Sequence, residues 1–187
     1  MARKVLKKIS GKLKCLYRQS QFLNPACKRL LCNALIQPHF DYSCTSWYPL
    51  LNKVFKRRFQ TTQNKCIRYC LDLPPRTHIS SAHFRKINWL PVELRVELCT
   101  ATSVFKYWNK LAPSYFNEIF TPSFNRYTTR SLMALDIPLR KTTLGQKGIS
   151  FLGPKIWSTI HNNLKTLKTT ASFTHALKNH LQDNLMI

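Results

Sequence analysis

The chain has 187 residues, 44% of them hydrophobic, and it carries 30 Lys and Arg against 7 Asp and Glu, a formal charge of +23. This apolar content excludes a disordered tail, because there is ample surface to bury, and the length suits one core-forming domain or two small ones. The charge points to a polyanionic partner, with nucleic acid first, and no stretch approaches the roughly 18 consecutive apolar residues that span a bilayer.

The opening MARKVLKKISGKLK is basic but is not followed by an apolar core. The expectation is an intracellular protein of the nucleus or cytoplasm rather than a secreted one. Seven cysteines, an odd number without a secretory signal, fit reduced thiols. No pair has the two-residue gap of a zinc knuckle, so the cysteines read as small core residues and no metal is expected.

Residues 3–19 predict an amphipathic helix. Leu6, Ile9, Leu13, Leu16 and Tyr17 share one face, and Arg3, Lys4, Lys7, Lys8, Lys12, Lys14 and Arg18 cover the rest. A helix lying on a membrane surface shares this pattern, but the apolar face has no Trp and the positive charge continues along the chain. Phosphate contact by Lys7, Lys8 and Lys12 is the reading adopted. In NPACKRLLCNALIQP, Asn24 predicts an N-cap with Pro25 at the first helical position, and Pro38 marks the end. The elbow IQPHFDYSCTSWYP follows. Phe40, Tyr42 and Trp47 are expected to pack inward, with Asp41 capping a turn or pairing with a nearby cation.

Residues 53–71 give the clearest helix. Phe55, Phe59, Thr62, Cys66 and Cys70 form one stripe, and Lys53, Arg57, Asn64 and Arg68 form a ladder on the opposite side. A solvated face normally mixes in acids for i,i+4 pairs, yet no acid occurs between Asp41 and Asp72. The ladder therefore reads as a phosphate-contacting face. LPPRTHISS breaks this helix. Residues 91–111 predict another, burying Leu94, Leu98, Ala101, Phe105 and Trp108, with Trp89 packing its start. Glu93 and Glu97 complement its dipole. A short amphipathic piece, SYFNEIF, precedes residues 121–150, which read as an extended basic segment, hairpin-like and of low order, with Arg130 and Arg140 as further phosphate contacts. Two helices, GPKIWSTIHNNL and ASFTHALKNHLQDNL, close the chain; Phe173, Leu177 and Leu181 share a face of the second.

Catalytic chemistry is not visible. The seven acids are scattered, so no carboxylate pair is ready for two-metal phosphoryl transfer. The four glycines form no phosphate-cradling loop. No nucleophile, base and orienting group assemble locally. The chain alone is expected to be non-enzymatic, without catalytic residues, metal or cofactor.

The ordered segments LIQPHFDYSCTSW, QNKCIRYCLDLPPRT, INWLPVELR, VFKYWNKLAPSYFNEIF, TRS, PLRKTTLGQKGISFLGPKIW and SFTHALKNHL resemble the C-terminal part of non-LTR retrotransposon reverse transcriptases, nearest to the jockey-like LINE group. The resemblance covers about Leu6 to Leu181. The chain departs from the family after Trp157, with Ser158, Thr159, Ile160 and His161 in place of Asn-x-Leu-Pro, and at Thr174, where the family has Lys. The resemblance implies the thumb and the segment after it, downstream of the catalytic palm and endonuclease. The implied fold is mainly α: a helical thumb-like domain over 1–120, an extended basic linker or hairpin over 121–152, and a small C-terminal helical subdomain over 153–187. The implied partners are RNA or an RNA–DNA duplex held by its phosphates, and the palm of a reverse transcriptase, with no membrane. Pro38, Asp41, Tyr42, Trp47, Trp89, Pro91, Arg95, Trp157 and Phe173 are expected to serve the scaffold. The rival readings are a domesticated stand-alone RNA-binding module, a set of helices that docks onto a separately encoded palm, and the 5′-truncated remnant of an element with no selected function.

Overall fold

A computed structural model describes residues 2–123 and 133–186. The chain is mainly helical. In order the helices are α1 (Ala2–Arg18), α2 (Pro25–Leu35), α3 (Gln37–Asp41), α4 (Cys44–Trp47), α5 (Lys53–Cys70), α6 (Ser81–Lys86), α7 (Val92–Trp108), α8 (Phe116–Ile119), α9 (Ile149–Thr159), α10 (Asn162–Lys165) and α11 (Thr170–Asp183). They group into two compact units, the first of residues 1–44, 51–95 and 185–187, the second of residues 45–50 and 96–184.

In the first unit, α1, α2 and α5 pack against one another. Neither α1 nor α5 has an acid in its first turn, and cations there oppose the helix dipole. Packing therefore holds these helices. Ile9, Leu13 and Leu16 of α1 are buried, each contributing on the order of 1.5–3 kcal/mol, beside Phe59, Cys66, Ile67 and Cys70 of α5. Capping helps locally: Asn24 accepts from the Cys27 N–H at 2.8 Å, and Asn52 from the Phe55 N–H at 2.9 Å.

The expected stop at Pro38 is corrected. Helix α2 ends at Leu35, and Pro38 lies in the first turn of α3. Its missing N–H costs nothing there, because first-turn amides have no intrahelical acceptor. Ser43, at φ 49°, ends the elbow's turn.

Three cysteines from α2 and α5 meet as thiols. A hydrogen bond with Cys70, then burial, raises the pKa of Cys32. Burial pushes Cys66 up to about 12. Protonated thiols of this kind behave as small apolar groups.

In the second unit, Phe105 of α7 stacks on Phe173 of α11, with ring centres 4.2 Å apart, and Trp157 of α9 lies 6.0 Å from the same ring. The Trp157 indole N–H donates to the Met133 carbonyl at 2.8 Å. Helix α7 is buried on a wider arc than its expected stripe. Leu98, Ala101 and Phe105 are inside, but so are Val96, Thr100 and Val104, whereas Leu94 and Trp108 are only partly covered. Thr100 is tolerated there because its hydroxyl returns to the Val96 carbonyl.

Residues 121–123 and 134–136 pair antiparallel: Ser123 N–H donates to the Ala134 carbonyl, and Asp136 N–H to the Thr121 carbonyl, each at 2.9 Å. Helix α9 begins at Ile149, inside the stretch read as linker, because Gly148 caps it with a carbonyl that receives the Phe151 and Leu152 amides. Gly153 within α9 admits the Phe120 ring, since a Cβ there would come within 2.7 Å of that ring. Ile160, extended at φ −76° and ψ 133°, splits the expected helix GPKIWSTIHNNL into α9 and α10.

Candidate nucleic-acid interface

The faces of α1 and α5 that turn away from the core leave a groove of about 590 Å³ between them. Four cations line it: Lys7 from α1, and Arg57, Arg58 and Lys65 from α5. Ser10, Thr61 and Thr62 add hydroxyls, and Leu6 and Val54 add apolar surface. No acidic side chain is among the lining residues.

Charge separation within the unit produces this. Each of its three acids is held by a cation elsewhere: Asp41 by Arg95, Asp72 by Lys28 and Glu93 by Lys56. The side chains of Lys7, Arg57 and Lys65 have no hydrogen-bond or ion-pair partner among the described residues, and Arg58 lies over the Phe55 ring at 5.6 Å. A surface of unpaired cations with no interleaved acid keeps a positive potential and attracts phosphate.

The residues expected to bind phosphate divide into groups. Lys7 and Arg57 are in the groove, and Lys53 is exposed at the start of α5. Lys8 and Lys12 are exposed on α1, and the Lys12 ammonium donates to the Leu35 carbonyl at 3.1 Å. Burial, followed by the positive charges of Lys12 and Lys8, lowers the pKa of His39.

Asn64 and Arg68 do internal work. The Gln60 amide donates to Gln63 at 3.0 Å and to Asn64 at 2.9 Å, and its oxygen accepts from the Val92 N–H at 3.1 Å. Buried Gln63 in turn donates to the Leu90 carbonyl at 2.8 Å. Asn64 thus belongs to an amide network that anchors the start of α7. The Arg68 Nε–H donates to the Thr77 carbonyl at 2.9 Å and fastens the loop after α5. Arg140 is exposed in the second unit, and Arg130 lies outside the described residues.

Sequence reasoning missed Arg58, Lys65 and the hydroxyls. The signal was there: Val54, Arg57/Arg58, Thr61/Thr62 and Lys65 recur at one-turn spacing. Which of the two basic faces lies open depends on where α1 packs, and that is not local information.

The residues assigned to the scaffold are placed as follows. Both Asp41 oxygens accept from the Arg95 guanidinium, the Nη2–Oδ2 contact at 2.6 Å. The Pro91 carbonyl receives the Arg95 N–H at 2.9 Å and starts α7. The buried Trp89 indole donates to Asn33 at 2.9 Å. Phe40 and Trp47 are buried as expected. Tyr42 is not: it is 73% exposed, because the short helix α3 directs Phe40 toward Phe59 and ends before Tyr42.

Among the described residues there is no cluster of three or more His, Cys, Asp or Glu placed to hold a metal, and no helix long and apolar enough to cross a membrane. No family model matches the chain, and no curated protein or solved structure is significantly similar to it.

Proposed function

We propose that this chain is a non-catalytic, thumb-like nucleic-acid-binding part of an RNA-directed DNA polymerase of the non-LTR retrotransposon type, which grips a primer–template duplex by its phosphates. The groove between α1 and α5 carries the reading: four cations converge there without an acid. A duplex held for its shape needs cations along its backbone rather than side chains that read base edges. Polymer-forming chemistry would come from a palm, which the resemblance places outside this segment.

Titration of an RNA–DNA duplex at several salt concentrations tests the proposal. Each phosphate neutralised on a duplex lowers the slope of log K against log salt by about 0.9, so full use of the four groove cations gives a slope of about −3 to −4. Affinity independent of salt removes the phosphate grip.

A further inference from the structure

Two hydroxyls in the groove are oriented in a way that phosphate binding does not use. Thr61 Oγ1 donates to the Arg57 carbonyl at 2.9 Å, and Thr62 Oγ1 donates to the Arg58 carbonyl at 2.8 Å. Both side chains line the groove. A hydroxyl has one proton and two lone pairs. With the proton returned to its own helix, each threonine oxygen offers the groove acceptor capacity only. Phosphate oxygens are acceptors as well, so they gain nothing from these two positions.

The placement along α5 matters too. Thr61 stands four residues from Arg57 and four from Lys65, about 6 Å along the axis on either side at 1.5 Å per residue. A strand running along this face presents phosphates to the cations and sugars to the threonines. The sugar group that can donate to a bare acceptor is the ribose 2′-hydroxyl, which DNA lacks. We infer that the strand seated against α5 is RNA, with ribose 2′-hydroxyls donating to Thr61 and Thr62. This rests on the phosphate reading above and adds to it which strand of a heteroduplex faces the groove, making the two threonines specificity-determining residues.

The test compares the full chain's affinity for an RNA–DNA hybrid with that for the same hybrid carrying 2′-fluoro substituents on the RNA strand. Fluorine removes the donor and retains the ribose-like pucker and every base amine. The native hybrid is expected to bind more tightly by about two- to tenfold for each hydrogen bond. The double variant T61V/T62V should bring the native hybrid down to the fluoro level and leave the fluoro hybrid's affinity unchanged; T61S/T62S should restore the preference. Thermal melts that superimpose on the parent's exclude a folding defect. Equal affinity for the two hybrids overturns the ribose inference alone, as does a valine variant that weakens both equally. If neither hybrid binds with a salt dependence, the phosphate reading falls and takes the ribose inference with it.

Discussion

Asp41 lies at the end of α3 with both carboxylate oxygens engaged by the single guanidinium of Arg95, an arrangement that suits a strut rather than a proton-transfer group. The pair is partly buried, so removing the charge takes the Asp41 carboxylate away from Arg95 where water only partly compensates. Asp41→Asn is expected to lower stability by about 1–3 kcal/mol, read by urea denaturation, while duplex affinity holds. Collapse of binding with stability intact would assign Asp41 to the interface instead.

Tyr69 makes a different residue-scale case. Its hydroxyl is buried without a hydrogen-bond partner among the described residues, and burial, followed by nearby thiols including Cys32, raises its pKa from 10.0 to about 12. The folded protein therefore holds this proton where the unfolded chain has lost it. Below pH 10 the group costs nothing, and stability falls as pH rises from 10 toward 12. Tyr69→Phe should melt no lower than the parent at pH 7 and should lose less of its melting temperature across that alkaline window. A parallel decline in the two proteins would show that Tyr69 does not carry this dependence.

At the scale of elements, α5 performs two tasks on two arcs of one helix. Its groove arc presents Arg57, Arg58 and Lys65, and its other basic arc secures the scaffold through Asn64 and Arg68. The double change R57A/R58A should weaken duplex binding and flatten its salt dependence by about two phosphate equivalents, roughly 1.8 in slope, with helicity by circular dichroism unchanged. Arg68→Ala should instead lower the thermal midpoint and leave the slope alone; if it flattened the slope, the loop contact would be incidental.

Local information made the long helices legible. Apolar spacing and the Asn24 and Pro25 start signal located α1, α2, α5 and α7 to within a few residues. What was not legible depended on distant partners. Lys28 reads as a surface lysine, yet it is 3% exposed because Asp72, 44 residues away, meets its ammonium and the Tyr69 ring lies 5.6 Å from it. Asn64 looked available because the sequence does not show that Gln60, held by the Val92 amide 32 residues away, donates to it. Pro38 looked like a terminator because a proline in a helix's first turn and one just beyond a helix's end share the same neighbours in sequence. The groove was half visible: Lys7 and Arg57 were read as phosphate contacts, but Arg58, Lys65 and the open face were not.

For the whole molecule, a charge of +23 spread along the chain sets up a field that draws any polyanion before a local contact forms. Long-range attraction of this kind is screened over about 8 Å at physiological ionic strength, whereas close contacts in the groove are screened less. The salt titration divides the two in part: the slope lost in R57A/R58A reports those two groove cations, and the remainder combines Lys7, Lys65 and the general field.

The three acids of the first unit all serve as internal struts, with Arg95, Lys28 and Lys56 as their partners. None is left to act as a decoy for phosphate. Among the described residues, the acids of this unit are thus committed to the scaffold and the groove is lined without one.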